Sequence, residues 1–98
     1  MSKPIMSLNR DLLKELTSIY GDSFYILDSL KFEKNYDEFL YEFRRYYPKT
    51  YIGYSYKTNY IPKLCSIIKE KNGYAEVVSN MEFDLAIKIG MNPEKIIV

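Results

Sequence analysis

The sequence predicts an α/β fold built on a parallel sheet. In its second half, short apolar segments rich in β-branched and aromatic residues alternate with segments of helical periodicity, in the order β-α-β-α-β. Parallel neighbouring strands need a crossover connection between them, and a helix is its usual form. At 98 residues, the chain has room for one small domain.

The N-terminal part predicts a helix followed by a strand. Residues 9–20 carry leucine and isoleucine at helical spacing, with Asn9 as a plausible N-cap and Gly21 as the stop. The segment FYIL at 24–27 is short, aromatic and β-branched, which is typical of a strand.

A second helix is predicted from Asp28 or Ser29, either of which can cap it, to about residue 46. Pro48 ends it. The apolar residues of this helix form one predicted stripe: Phe32, Tyr36, Phe39, Leu40 and Phe43.

Three strands and two helices are predicted in the second half. The strands are TYIGYSY at 50–56, YAEVVS at 74–79 and EKIIV at 94–98, and the helices run from 62 to about 72 and from 80 to 90. Their boundaries are marked by proline and glycine residues: Pro62, Gly73, Gly90 and Pro93.

The last residues of the chain form an apolar strand with no polar tail after it. Three parallel strands cannot close a barrel, and they leave open edges. We therefore expect the chain to be a piece of a longer protein. A small complete three-layer domain is the alternative.

The charge balance, the N-terminal sequence and the cysteine content together favour a cytoplasmic protein with no nucleic-acid and no membrane partner. The 14 basic and 13 acidic residues leave a net charge of +1, so no broad basic surface is expected. The Arg44–Arg45 pair is interpreted as a solvated helix face. The sequence has no signal-peptide pattern and no apolar run of roughly 18 residues. The single cysteine, Cys65, excludes an internal disulfide and suits a reducing compartment.

The absence of histidine excludes several kinds of catalytic and metal site. Ser–His and Cys–His nucleophile pairs cannot form within the chain, and zinc sites of histidine or paired cysteines are excluded, so we predict no metal site. The four scattered glycines form neither GxxxxGK[ST] nor GxGxxG. Lysine, carboxylates and hydroxyls remain as reactive groups.

Lys57 stands at the C-terminal end of the predicted strand 50–56. Alternate residues of a strand share a face, so Gly53, Ser55 and Lys57 are predicted to point one way. The bulkier residues are predicted to face the outer helices: Ile52, Tyr54 and Tyr56. In α/β proteins ligands bind at this end of the strands. A lysine at a strand end is usually a solvated surface residue, however, so spacing alone does not assign it a role.

Further polar residues are predicted to reach the same edge. Glu76 lies in the next strand, Ser79 ends that strand, and Glu82 opens the following helix. If the two strands pair in parallel, these side chains gather around one mouth with Lys57.

The sequence around Lys57 resembles the N-terminal barrel region of the ornithine/diaminopimelate/arginine decarboxylase family, which are alanine-racemase-like enzymes that depend on pyridoxal phosphate. The run YSYKTN matches the family's aromatic-x-aromatic-Lys-x-Asn pattern. GYAEVVS matches a glycine–acid–Val-Val-Ser strand with a glutamate three residues later, and AIKIGMNPEKIIV is similar to ALxAGxxPExIIF. FYILD at 24–28 resembles TPFYVYD.

This resemblance implies a fold and a cofactor. Residues 29–98 would be the N-terminal portion of a (β/α)8 TIM-type barrel that binds pyridoxal 5'-phosphate. A helix–strand–helix entry segment would precede the strands of the barrel, and residues 1–28 would form its N-terminal part. Lys57 would form the internal aldimine with the cofactor. The other implied cofactor-binding residues are Asn59, Glu76, Ser79 and Glu82, of which Asn59 is also a plausible cap for the helix opened by Pro62.

The resemblance also implies an activity. The parent protein would be a lyase that decarboxylates a basic or diamino amino acid, of the diaminopimelate, ornithine or arginine type, as a homodimer with shared active sites. Lysine must be deprotonated to attack an aldehyde, and desolvation at a barrel mouth lowers its pKa. The cofactor then acts as the electron sink for the carbanion left by carbon dioxide. The 98 residues alone are expected to have no turnover.

Three departures from the family pattern leave alternatives open. Glu76 stands where aspartate is common, and Ser55 and Thr58 differ from the usual alanine, proline or serine. A racemase of the same fold, a decarboxylase-like homologue that has lost catalysis, and a small α/β interaction domain with an incidental lysine are the other interpretations.

Overall fold

The computed structural model describes residues 8–98, which form four α-helices and three short strands. The helices are α1 (Arg10–Tyr20), α2 (Ser29–Arg44), α3 (Pro62–Glu70) and α4 (Asn80–Lys88). The strands are β1 (Gly53–Ser55), β2 (Tyr74–Glu76) and β3 (Ile96–Ile97), and a 3-10 turn, Pro93–Lys95, precedes β3. No helix in this part of the chain is both long and apolar enough to cross a bilayer.

The strands form one parallel sheet in the order β1-β2-β3, which confirms the predicted α/β class. Ser55 pairs with Glu76, and Glu76 pairs with Ile97. Backbone hydrogen bonds extend the ladder beyond the strands, from Tyr56 N to Glu76 O at 3.0 Å and from Val77 N to Ile97 O at 2.9 Å. A sheet of this kind is consistent with part of an α/β barrel.

The helices α2, α3 and α4 cover one face of the sheet. Ala75 and Val77 are buried with Cys65 of α3 and Ala86 of α4 in one apolar cluster. A second cluster joins α2 to α3 and contains Tyr36, Leu40 and Ile68. Burial of this apolar surface is the main stabilising contribution to the unit.

The other face, which we call the open face, is not covered by these helices. It carries the residues that alternate with the buried ones and their cross-strand partners: Gly53, Ser55, Tyr74, Glu76, Val78 and Ile97. A Cβ placed on Gly53 would lie 3.6 Å from Ile97 Cδ1, so these two residues share this face across the sheet. The predicted direction of Gly53 and Ser55 is thus confirmed.

The first helix is confirmed, but the strand predicted at 24–27 is wrong. Asn9 Oδ1 accepts a hydrogen bond from Leu12 N at 2.8 Å, and Gly21, at φ +91°, ends α1. Residues 24–27 form no ladder in the structure, and Tyr25 is fully exposed. Strand formation depends on a partner as well as on propensity, and neither β1 nor β3 pairs with this segment.

Helix α2 begins as predicted, because Asp28 Oδ1 accepts a hydrogen bond from Lys31 N at 3.0 Å. Its apolar stripe is divided, however. Tyr36 and Leu40 are buried against α3, while Phe39 and Phe43 are exposed and contact one another with ring centroids 4.7 Å apart. Phe39 lies between Tyr36 and Leu40 along the helix but is rotated about 100° from Leu40, so it points away from the face that α3 covers.

The connection from α3 to β2 differs in detail from the prediction. Asn72, at φ 62°, adopts the left-handed conformation that ends the helix, a role that the sequence had assigned to Gly73. Gly73 is buried, and a Cβ there would lie 2.7 Å from Ile68 Cγ2. Gly73 is therefore needed for the close approach of the chain to α2 and α3.

Candidate functional site

Lys57 lies in a tight turn directly after β1, at the C-terminal edge of the sheet. Residues 56–58 form this turn, in which the Asn59 and Thr58 amides are 3.4 and 3.3 Å from Ser55 O. The side chain of Lys57 is exposed, so the desolvation predicted for its amine is not provided by the described residues.

The backbone before Lys57 is held from both sides. Tyr56 is fully buried under the helices, and its amide continues the β1–β2 ladder. The hydroxyl of Tyr54 donates a hydrogen bond to Asn59 O at 2.8 Å, which closes the turn around the lysine. Lys57 therefore combines a fixed main chain with an accessible amine.

Glu76 lies at the centre of the open face, between Ser55 and Ile97 on the neighbouring strands. Its side chain is exposed, whereas Ser55 is half-buried. Glu76 ends β2 as Ser55 ends β1, so Glu76 lies at the C-terminal edge of the sheet, the edge at which the Lys57 turn follows β1. Its carboxylate is available to a ligand at this edge.

Ser79 and Glu82 are used within the turn that connects β2 to α4. Ser79 is the N-cap of α4, and its Oγ accepts a hydrogen bond from Glu82 N at 3.2 Å. The Ser79 hydroxyl donates to Glu82 Oε2 at 2.8 Å, and Glu82 is buried. The S-x-x-E spacing is that of a capping box, a sequence signal for the start of a helix.

Asn59 shapes the segment that leads into α3. Its Oδ1 accepts a hydrogen bond from Ile61 N at 3.1 Å. The N-cap position of α3 is occupied by Ile61, which makes no side-chain capping bond. Asn59 thus stabilises the turn before the helix, close to the cap role considered for it.

An open cavity of about 380 Å³ lies at the same edge, where β2 and β3 end. It is lined by residues of the β2–α4 connection, the start of α4 and residue 98: Val77, Val78, Ser79, Asn80, Phe83 and Val98. In residues 8–98 no group of three or more His, Cys, Asp or Glu side chains is arranged to hold a metal ion.

Two groups next to the lysine turn are buried on the helix side of the sheet. Tyr56 and Cys65 are both fully buried, and burial raises the pKa of the Tyr56 hydroxyl and of the Cys65 thiol. The alternation of Ile52, Tyr54 and Tyr56 predicted this burial for Tyr56. These groups support the site from the helix side and are not accessible to a ligand.

The fold and this edge define the chain as a parallel α/β unit that presents an accessible lysine and a carboxylate where such proteins bind ligands. Over 85 residues, or 87% of its length, the chain is 32% identical to a diaminopimelate decarboxylase of Aquifex aeolicus. The chain spans about a fifth, 19%, of that relative's length. No protein-family model matches the chain, and no solved structure gives a significant match. The similarity supports the decarboxylase family without selecting a member of it.

Proposed function

We propose that this chain is the part of a pyridoxal-phosphate-dependent amino-acid decarboxylase that carries the cofactor lysine, Lys57. The observation that carries the proposal is the position of Lys57, whose amine is exposed on a fixed turn at the C-terminal edge of the sheet. The similarity to a diaminopimelate decarboxylase over 87% of the chain supports it.

The residues at this edge fit an aldehyde cofactor. Covalent attachment requires an amine that a ligand can reach, and Lys57 is exposed in the turn that directly follows β1. Glu76 offers a carboxylate on the adjacent strand. When bound, pyridoxal 5'-phosphate supplies the electron sink for the carbanion that decarboxylation leaves.

Each candidate site residue has a distinct role in this proposal. Lys57 is the covalent attachment point, and Glu76 lies beside the cofactor. Asn59, Ser79 and Glu82 shape the backbone on which these two groups are held, through the hydrogen bonds of the two turns. We further propose that other parts of the protein desolvate Lys57, which lowers the pKa of its amine and favours the neutral form needed for attack.

A (β/α)8 barrel is the proposed architecture of the parent protein. In a barrel every crossover helix lies on the outside, whereas a doubly wound sheet has helices on both faces. In this chain α2, α3 and α4 lie together on one face. The open face would then be the barrel interior, covered by further strands.

The proposed reaction is the decarboxylation of a basic or diamino amino acid in a cytoplasmic homodimer with shared active sites. The similarity to the Aquifex aeolicus diaminopimelate decarboxylase favours diaminopimelate within this class. Racemisation on the same fold and cofactor is the second enzymatic possibility, and the released product distinguishes them, because a decarboxylase forms carbon dioxide and a racemase does not.

The test uses the protein as its gene encodes it. We expect pyridoxal 5'-phosphate to give a visible absorbance band on binding, and borohydride reduction to fix the cofactor mass on the peptide that contains Lys57. Lys57→Ala should abolish both signals, and Lys63→Ala, which removes another exposed lysine, should retain them. A band that persists in Lys57→Ala, or no band in the unaltered protein, would overturn the proposal. The 98 residues alone should release no carbon dioxide from diaminopimelate, ornithine or arginine.

A further inference from the structure

The turn between β2 and α4 is held by a pair of side chains that we call the Ser79–Glu82 lock. The Ser79 hydroxyl accepts from Glu82 N at 3.2 Å and donates to Glu82 Oε2 at 2.8 Å. The other oxygen, Oε1, accepts a longer hydrogen bond of 3.4 Å from Val78 N. One carboxylate therefore joins the segment after β2, the cap residue and the first turn of the helix.

Burial separates Glu82 from the other polar residues at this edge. Glu82 is 6% exposed, and it is the one buried charged residue among residues 8–98. A buried carboxylate is tolerated when its oxygens are hydrogen-bonded, and both oxygens of Glu82 are bonded to its own turn. Lys57 and Glu76, in contrast, are exposed.

We infer that Glu82 is a positioning residue for the site and does not contact the cofactor. It acts through the Ser79 hydroxyl and the Val78 amide, which keep the turn in one conformation. This turn follows β2 at the edge where Lys57 follows the neighbouring strand, and Val78 and Ser79 line the cavity at that edge. The cofactor part of the inference rests on the proposed function.

The hydrogen-bonding and charge roles of Glu82 can be separated by substitution. Glu82→Gln keeps an acceptor oxygen and the shape of the side chain but removes the charge, whereas Glu82→Ala removes both. Ser79→Ala removes the cap, and Ser79→Thr keeps it. Asp84→Asn is the matched control, because Asp84 is an exposed acid on the same helix.

The first measurement is a double-mutant cycle in the unfolding equilibrium of the protein as its gene encodes it. Ser79→Ala and Glu82→Ala should each reduce the folding equilibrium constant about five- to tenfold, the usual effect of a lost cap. The double variant should lose little more than either single variant, since the two residues act as a unit. Additive losses would show that no lock exists.

The second measurement is the Kd for pyridoxal 5'-phosphate in the same variants. If a substitution leaves the turn less ordered in the free protein, cofactor binding must first restore its conformation. The Kd then rises by at most the factor by which the ordering equilibrium is reduced. Ser79→Ala and Glu82→Ala should therefore both raise the Kd, by up to five- to tenfold, while Ser79→Thr, Glu82→Gln and Asp84→Asn stay near the unaltered protein.

Two results would overturn the positioning role. A Kd raised by Glu82→Gln as much as by Glu82→Ala, and unaffected by Ser79→Ala, would indicate direct charge contact with the cofactor. Lower stability with an unchanged Kd in both alanine variants would indicate a helix cap with no effect on the site. If the unaltered protein binds no cofactor, the proposed function fails on that result, and the double-mutant cycle still decides whether the lock exists.

Discussion

Tyr54 and Tyr56 point to the same helix-covered side of the sheet, but their hydroxyls differ in hydrogen bonding. The Tyr54 hydroxyl donates to Asn59 O at 2.8 Å. The Tyr56 hydroxyl is fully buried and has no hydrogen-bond partner among residues 8–98, although the Cys65 thiol lies close to it. A thiol is a weak donor and acceptor, so it does not offset the desolvation of a phenol.

We expect Tyr54→Phe and Tyr56→Phe to differ in their effect on stability. Tyr54→Phe removes a made hydrogen bond and should lower the free energy of unfolding by about 1 kcal/mol. Tyr56→Phe removes a hydroxyl that gains nothing from burial, so it should be neutral or stabilising, with any loss below about 0.5 kcal/mol. Urea unfolding of the two variants measures both values. An equal loss in the two would mean that the Tyr56 hydroxyl has a partner.

Cys65 makes stability depend on pH in the alkaline range. Burial raises the pKa of its thiol above the ordinary value of about 8.5, so the folded state holds this proton more tightly than the unfolded state. The contribution is fully present below that ordinary value and is lost as the pH rises above it.

The unfolding free energy should therefore fall as the pH rises above about 8.5, by at most about 1.4 kcal/mol per pH unit for this one group. Urea unfolding at a series of pH values measures the slope. In Cys65→Ala the slope between about pH 8 and pH 9.5 should be smaller, even though the variant is less stable at every pH because of the cavity it creates. An unchanged slope would assign the alkaline loss to other groups.

At the scale of elements, both helices and strands were predicted from local signals, but strands also depend on non-local pairing. Asn9, Asp28 and Pro62 mark helix starts through interactions within a few residues, and all three are where the structure begins a helix. The segment 24–27 has strand propensity but no partner, which local sequence does not reveal. The strands are also shorter than their apolar runs: β1 has three residues where 50–56 was predicted.

The candidate site, like the strands, was predicted only in part from the sequence. Alternation along β1 correctly separated Gly53 and Ser55 from Tyr54 and Tyr56. It does not apply to Lys57, because that residue lies in the turn beyond the strand. The burial of Glu82 depends on how α4 packs, which spacing does not specify.

Gly73 tests the close packing of α2, α3 and β2. A Cβ at this position would lie 2.7 Å from Ile68 Cγ2 and 2.8 Å from the Tyr36 hydroxyl. We expect Gly73→Ala to lower the free energy of unfolding by about 1–3 kcal/mol, the usual cost of overpacking. Gly53→Ala is the control, because its Cβ would meet Ile97 Cδ1 at an ordinary 3.6 Å. Denaturant unfolding should separate the two variants. A Gly73→Ala protein as stable as Gly53→Ala would contradict the packing described.

At the scale of the whole molecule, one side of the sheet is packed and the other is bare. Val78 and Ile97 are 59% and 47% exposed on the open face, and the edges of β1 and β3 have unpaired backbone groups in the described chain. Exposed apolar surface beside open strand edges is typical of a contact surface. Within the proposed barrel, the same residues would be covered by further strands.

We expect the isolated 98-residue chain to self-associate through the open face. Sedimentation at increasing concentration should show oligomers, and Val78→Lys or Ile97→Lys should shift them toward monomer, because a charge on the open face is costly to bury. Ile87→Lys is the control, since Ile87 is similarly exposed, at 42%, but lies on α4. In the protein as its gene encodes it, the barrel proposal predicts that Ile97→Lys instead destabilises the fold. A monomeric chain at all concentrations, or equal suppression by Ile87→Lys, would show that the open face does not drive association.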